Sequence, residues 1–398
     1  MKYFVIIGDG MADFPIDELQ GKTPLMVAEK PYMDMMARQG LCGKVITIPD
    51  GFPPGSDVAG MSLFGYDPAK YYTGRAPIEA YGMGISMGDT DVAFRCNMVY
   101  LENIDDEAIM GDYSAGQITT EEAKVFIEML NKEVADKSFE FFPGVGYRHI
   151  MIWRGGQWEM TTTPPHDITK QKISKYLPSG KGANTLIELM KFSQKLMADH
   201  PLNKKRMASN KLPVNSIWLW GQGKKASFPL FYDRFHLKGA TVAAVDLIKG
   251  ISSLAGFERP YVKGATGYID TDYKAKADKA LELIQNYDIV YIHIEAPDEA
   301  SHSGNIKEKI QAIENIDSKI VRPLYEAMPE GTRFMIVTDH ATPISLKTHY
   351  ACPVPFAIFE KGKTLKGEPA GFNEGIEGLK LNGEELISLF INKRDLSS

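Results

Sequence analysis

Apolar positions in this chain come as short β-branched or aromatic runs separated by longer amphipathic stretches. The runs from Tyr3 to Ile7, Lys44 to Ile48, Ser216 to Trp220, Thr241 to Val245, Asp288 to Ile294 and Arg333 to Thr338 read as buried strands. Leu25 to Arg38, with Pro24 at a first-turn position, Lys274 to Asn286 and Ile306 to Ala327 read as helices. Strands alternating with helices predict an α/β fold, a mostly parallel sheet with helices on both faces.

The middle of the chain has a different texture. Turn-rich stretches such as Gly82-Met83-Gly84 and Pro164-Pro165 surround one clear helix, Glu121 to Lys132, and strand-like pieces at Asp91 to Tyr100 and His149 to Trp153. The division expected is a sheet domain over residues 1–72 and 207–398, with a smaller α+β domain inserted over 73–206. The polar run Asn203 to Asn210 would be the return linker. At 398 residues two domains are the default.

Composition removes several classes of function. The net charge is −6, and the longest basic run is Asn203-Lys204-Lys205-Arg206, so nucleic acid and membrane surfaces are not expected partners. No apolar stretch approaches the ~20 residues of a membrane span. The apolar start, Tyr3 to Ile7, is too short for a signal peptide. The cysteines, Cys42, Cys96 and Cys352, form no CxxC pair, so neither a disulfide framework nor a cysteine-zinc site is expected. A reduced cytoplasm is the expected location.

Candidate chemistry concentrates just beyond the predicted strands. Asp9 follows the first, Asp298 and His302 follow the strand ending near Ile294, and Asp339 and His340 follow the strand ending at Thr338, with His349 after them. Ligand sites of open parallel sheets lie at the carboxyl ends of strands, so these distant residues could converge. Asp298 and His302, four apart, share a helix face. Imidazole and carboxylate suit zinc, manganese and related ions. Taken singly, each has an ordinary explanation: a surface pair, a strand-end polar residue, a turn aspartate. Ser56, in Pro53-Pro54-Gly55-Ser56-Asp57, could be a helix N-cap, or a hydroxyl placed where a helix N-terminus favours an anion.

The ordered set Asp9, Ser56, Asp298, His302, Asp339, His340 and His349 resembles the metal and nucleophile pattern of the alkaline phosphatase superfamily. More narrowly, the chain resembles the cofactor-independent phosphoglycerate mutases of archaeal type. The segments that carry the likeness are Gly8-Asp9-Gly10-Met11-Ala12-Asp13, Pro54-Gly55-Ser56-Asp57-Val58-Ala59, Gly65-Tyr66-Asp67-Pro68 to Tyr71-Tyr72-Thr73-Gly74-Arg75, Phe94-Arg95-Cys96-Asn97, Asp298-Glu299-Ala300-Ser301-His302 and Thr338-Asp339-His340. The likeness spans essentially the whole chain. It implies an alkaline-phosphatase-like sheet, two divalent ions (Mn, Zn, Co or Mg), no 2,3-bisphosphoglycerate, and a small phosphorylated carboxylate as substrate. One ion would take Asp298, His302 and His349; the other Asp9, Asp339, His340 and the Ser56 oxygen. Ser56 would become phosphoserine while 2- and 3-phosphoglycerate interconvert. The insertion would grip substrate through Arg75, Arg95, Asn97, Arg148 and His166, joined by Lys224 from the sheet domain, while His293 would order the strand end.

Other readings keep the same machinery. A homoserine-kinase-like subgroup shares the metal and serine set, and Met87 to Tyr100 and the tract around Trp153 resemble it. No Gly-x-x-x-x-Gly-Lys-Ser/Thr loop for ATP occurs. A phosphomonoester hydrolase would use water as acceptor, and a non-catalytic metal protein would have no need of Ser56. The metal's identity and the oligomeric state are not legible.

Overall fold

The structure, a computed structural model, describes residues 1–104, 107–365 and 371–392. The chain divides into two compact units, residues 1–72 with 227–398, and residues 73–226.

Among the described residues, the first unit carries a seven-stranded sheet. Its order is Gly239–Val242, Ile289–Ile294, Tyr3–Gly8, Arg333–Thr338, Val354–Glu360, Leu41–Ile46 and Leu379–Asn382. The first four strands are mutually parallel. Val354–Glu360 runs antiparallel to both of its neighbours. The fold is therefore α/β with a mostly parallel sheet, as the alternation predicts. Val354–Glu360 was not predicted; Pro355 inside it supplies no N–H to the ladder.

Both faces of the sheet are covered. Phe4, Ile6, Val290, Ile292, Phe334 and Ile336 pack in one cluster with Ala277, Ile313, Ile316 and Leu324 of the helical segments. On the other face Tyr291 stacks on Phe64 with centroids 4.2 Å apart, and Tyr3 meets Phe390 edge-on. Each such fully buried side chain contributes about 1.5–3 kcal/mol.

Register decides where the chemistry goes. Gly8 lies level with Ile294 on one side and Thr338 on the other. The next residues, Asp9, Glu295 and Asp339, therefore leave three adjacent parallel strands at one edge.

Several expected elements shift. Lys30 and Pro31 divide the expected helix Leu25 to Arg38 into a turn, Pro24–Val27, and a helix, Pro31–Gln39. A residue before proline is driven out of the helical region, and Lys30 sits at φ −138°. The stretch from Ile306 stays helical to Ala327 but widens to a π turn at Asp317–Val321.

The second unit is built on the strand Val92–Ile104, which pairs antiparallel with Glu107–Asp112, Arg148–Trp153 and Ser216–Lys224. Helices Thr120–Glu133, started by a Thr119 capping box, and Ala183–Ala198 pack against this sheet, burying Phe94, Phe126, Leu130, Leu186 and Leu219. Two expectations are corrected here. Ser216–Lys224 belongs to this sheet rather than the large one, so the second boundary falls after Ala226, not after residue 206. The expected linker Asn203 to Asn210 instead overlaps a helix, Pro201–Ala208, that buries Asn203 and Arg206. Arg206 donates to the carbonyls of Leu212 and Ala115, which a sequence pattern cannot show.

Candidate active site

Three histidines define the chemistry of the sheet edge through their Nδ1 atoms. Thr342 Oγ1 donates to Asp298 Oδ1 at 2.6 Å, so it accepts from Nδ1–H of His340, 3.1 Å away. His302 Nδ1 lies 2.9 Å from the carbonyl of Lys347, which can only accept. His293 Nδ1 lies 3.0 Å from Glu295 Oε1. Each Nδ1 thus carries a proton, which leaves Nε2 as the atom each ring turns toward the aspartates. Metal-binding histidines are oriented this way, with the far ring nitrogen tied to an acceptor.

Two ligand clusters result. In the first, Asp298 and His302 come from one turn of helix Ala296–Ser303, with Nε2 3.1 Å from Oδ2. His349 Nε2 stands 3.5 Å from Asp298 Oδ1 and 3.1 Å from His302 Nε2. In the second, His340 Nε2 lies 3.2 Å from Asp339 Oδ2 and 3.5 Å from Asp9 Oδ1. Ser56 Oγ is 3.1 Å from the same nitrogen. All seven predicted metal-site residues are therefore brought together. Ser56 is the first residue of helix Ser56–Leu63 and Gly55 is the cap, so the simple capping explanation for this serine does not hold.

The donor set fits divalent cations. Asp9, Asp339 and His340 are buried, and their ligand atoms lie within 4.8 Å of one another, as do those of Asp298, His340 and His349. Asp9 Oδ1 and Asp339 Oδ2 are buried with no hydrogen-bond partner. Unpaired buried carboxylate oxygens are costly unless a cation meets them. Burial, with Asp339 and Asp298 nearby, pushes Asp9 well above the usual carboxylate range. Burial pulls His302 down, yet Asp298 lifts it to about 9. A field that draws a proton so strongly would also hold a metal ion.

The loops are fastened from below. Gly10 N–H donates to Asp339 Oδ1 at 3.0 Å. Fully buried Lys309 reaches Asp13 Oδ2 at 2.7 Å and the carbonyls of Ala12 and Thr342 at 3.2 and 3.0 Å, tying the Asp9 loop to the His340 loop. Sequence reading missed Lys309, Asp13 and Thr342. The closeness of Asp13 to Asp9 was the one available signal.

Within the second unit, Arg75, Arg95, Asn97, Arg148 and His166 gather around two residues that had not been predicted, Glu79 and Trp220. Glu79 Oε1 takes Arg75 Nε at 2.8 Å and Oε2 faces Arg95 Nε at 2.9 Å. Burial would raise the Glu79 pKa, but Arg95, Arg75 and Arg148 hold it below normal. The Arg95 guanidinium lies 4.4 Å from the Trp220 ring centre. Trp220 donates to Asn97 Oδ1 at 3.0 Å and its ring is 5.4 Å from that of His166. Lys224 is not part of this group. It belongs to the second unit, not the sheet domain, and its ammonium lies over Trp158 at 5.1 Å.

A family model described as 2,3-bisphosphoglycerate-independent phosphoglycerate mutase matches residues 37–203. The chain is 49% identical to a probable 2,3-bisphosphoglycerate-independent phosphoglycerate mutase of Geobacter sulfurreducens over 376 residues, 94% of each chain. It is 48% identical over 403 residues to the Methanosarcina barkeri protein named 2,3-bisphosphoglycerate-independent phosphoglycerate mutase, spanning 99% of this chain and all of that one. A solved structure of a Pyrococcus horikoshii protein superposes with a TM-score of 0.82 at 30% identity, covering 100% of this chain and 98% of that one.

Proposed function

Because the chain belongs to the 2,3-bisphosphoglycerate-independent phosphoglycerate mutases, within the alkaline phosphatase superfamily, we propose that it works by two-metal phosphoryl transfer through Ser56. The enzyme interconverts 2-phosphoglycerate and 3-phosphoglycerate. The observation that carries the route is Ser56 Oγ, 3.1 Å from His340 Nε2, the nitrogen that also faces the buried Asp9 and Asp339 oxygens left without a hydrogen bond.

Asp298, His302 and His349 would hold one divalent ion, and Asp9, Asp339, His340 and Ser56 the other. Such ions, when bound, lower a hydroxyl pKa and offset phosphoryl charge. Ser56 Oγ attacks phosphorus and the substrate's ester oxygen leaves, giving phosphoserine and glycerate. The glycerate turns, and its other hydroxyl attacks the phosphoserine to release product. Arg75, Arg95 and Arg148 suit the anionic groups of the substrate, since guanidinium pairs bidentately with carboxylate and phosphate. Asn97 and His166 accompany them. The route requires no 2,3-bisphosphoglycerate and no nucleotide. Among the described residues no helix is long and apolar enough to cross a membrane.

The test is direct. Enzyme loaded with Mn2+ and given 3-phosphoglycerate, without ATP or bisphosphoglycerate, should form 2-phosphoglycerate, and chelation should abolish turnover. No product, together with ATP-dependent phosphorylation of homoserine, would overturn this reading.

A further inference from the structure

Trp220, on the strand Ser216–Lys224, is only 5% exposed, yet its ring meets polar groups on three sides. The Arg95 guanidinium lies over it, 4.4 Å from the ring centre. Its Nε1–H donates to Asn97 Oδ1 at 3.0 Å, and the His166 ring stands edge-on with centres 5.4 Å apart. The row of rings continues from there. His166 meets Tyr113 at 6.1 Å, Tyr113 meets Tyr147 at 5.6 Å, and Arg148 lies 5.5 Å over Tyr147. One arginine therefore sits at each end of a chain of aromatic contacts, all within the second unit.

Arg95 is buried with its donors unused. Nε has no hydrogen-bond partner, although Glu79 Oε2 is only 2.9 Å away, and among the described residues neither Nη donates to protein. Burial draws the Arg95 pKa down to about 10, with Glu79 opposing the fall and Arg75 and Arg148 adding to it. A buried guanidinium whose N–H groups go unmet is costly until an anion reaches them. How well it takes that anion depends on orientation, because bidentate pairing needs the plane of the fork held in place. Glu79 approaches at Nε alone and does not fix that plane. The ring against Cζ is the group that restricts its tilt.

We propose that Trp220 is the positioning residue of the substrate grip, its indole holding the Arg95 guanidinium so that the Nη pair is presented to a carboxylate or phosphate of the substrate. The inference deepens the reading of Arg95 as a substrate contact and rests on it. Asn97 is a tie within this arrangement: its Oδ1 is taken by Trp220, and its Nδ2 donates to the Tyr113 carbonyl at 3.3 Å. A desolvated cation stacked on indole corresponds to a factor of roughly 10 to 30 in binding. A tryptophan that only filled the core would change stability and leave the affinity of Arg95 for its anion alone.

The experiment is a mutant cycle on full-length, Mn2+-loaded enzyme with 3-phosphoglycerate. Trp220→Leu should raise KM roughly 10- to 30-fold while kcat stays within about threefold. Trp220→Phe keeps a ring face under Arg95 and loses only the N–H, so it should recover most of that loss. Arg95→Lys removes the flat fork, and adding Trp220→Leu to it should raise KM by less than about threefold more. An unchanged KM in Trp220→Leu, or the full rise on top of Arg95→Lys, would overturn the role of Trp220 and leave the mutase reading intact. No 2-phosphoglycerate from the wild type would overturn both. Should Trp220→Leu fail to fold, tryptophan emission decides. 3-Phosphoglycerate should shift the emission of the wild type, and Trp220→Phe should remove that shift. A shift of equal size in Trp220→Phe would overturn the proposal.

Discussion

The turn at Gly10 packs directly against Thr342 and Asp298, and it sets a quantitative test. Gly10 has φ +63°, where an L residue is strained by roughly 1–2 kcal/mol. A Cβ built there would lie 2.6 Å from Thr342 Oγ1, 2.8 Å from Asp298 Oδ1 and 2.9 Å from Asp298 Cα. The last is backbone, so a side-chain rotation cannot relieve it, and overpacking of this kind adds about 1–3 kcal/mol. Gly10→Ala should therefore cost roughly 2–5 kcal/mol. Gly21 is an internal control. It has φ +77°, and a Cβ there would meet nothing within 4 Å. Gly21→Ala should cost only the backbone part, roughly 1–2 kcal/mol. Both positions lie in the same compact unit, so urea unfolding reads one transition for both. Thr342 and Asp298 are the groups displaced, so Gly10→Ala should also weaken Mn2+ binding while Gly21→Ala leaves it unchanged. Equal losses of stability in the two variants, with equal metal affinity, would refute the packing argument.

Ser56→Ala should keep its metal content and, since Ser56 is not the helix cap, lose little stability, yet turnover should fall by a factor of at least ~10³. Turnover within tenfold of wild type would remove the nucleophile role. Glu79→Gln should loosen Arg75 and Arg95 together. A charge-assisted pairing is worth about 1.5–3 kcal/mol, so KM for 3-phosphoglycerate should rise roughly 10- to 100-fold with kcat changing far less. An unchanged KM would separate Glu79 from substrate binding. Asp317 is pushed up to about 6, chiefly by burial, although the amides of Met33 and Tyr32 donate to it. An unfolded aspartate loses its proton near pH 4, so between about pH 4 and 6 the folded state holds the extra proton and stability falls as pH rises. Asp317→Asn should flatten that part of the stability profile measured by urea unfolding, and an identical slope in the variant would contradict the assignment.

Much of the site could be read one residue at a time. Asp9, Asp298 and Asp339 each follow an apolar run, and parallel strands present their carboxyl ends at a common edge, so strand assignment alone predicts convergence. The Asp298–His302 spacing needs only the pitch of a helix. Family resemblance then supplied the pairing of ligands into sets, which spacing by itself leaves open. The fold class follows similarly from periodicity, a local property of ten or fifteen residues.

What the sequence could not decide depends on partners brought from far along the chain. Glu79 reads as an ordinary helical glutamate until Arg95, on a separate strand, faces its second oxygen. Lys276, Glu295 and His293 look like a surface lysine and a strand end, yet burial makes each require the others. Lys309 is likewise one of several charges on an amphipathic helix, and only its three oxygen partners show that it ties two loops together. Ser216–Lys224 has the pattern of any buried strand, and pattern alone does not say which sheet it joins. Val354–Glu360 holds a central place in the sheet despite Pro355, and only its pairing with two neighbours shows that. Hydrophobic periodicity is imprinted locally because water is excluded from one face at a time. Charge neutralisation and strand partnership are settled by the packed chain, where a buried group must find its counterpart wherever the fold has placed it.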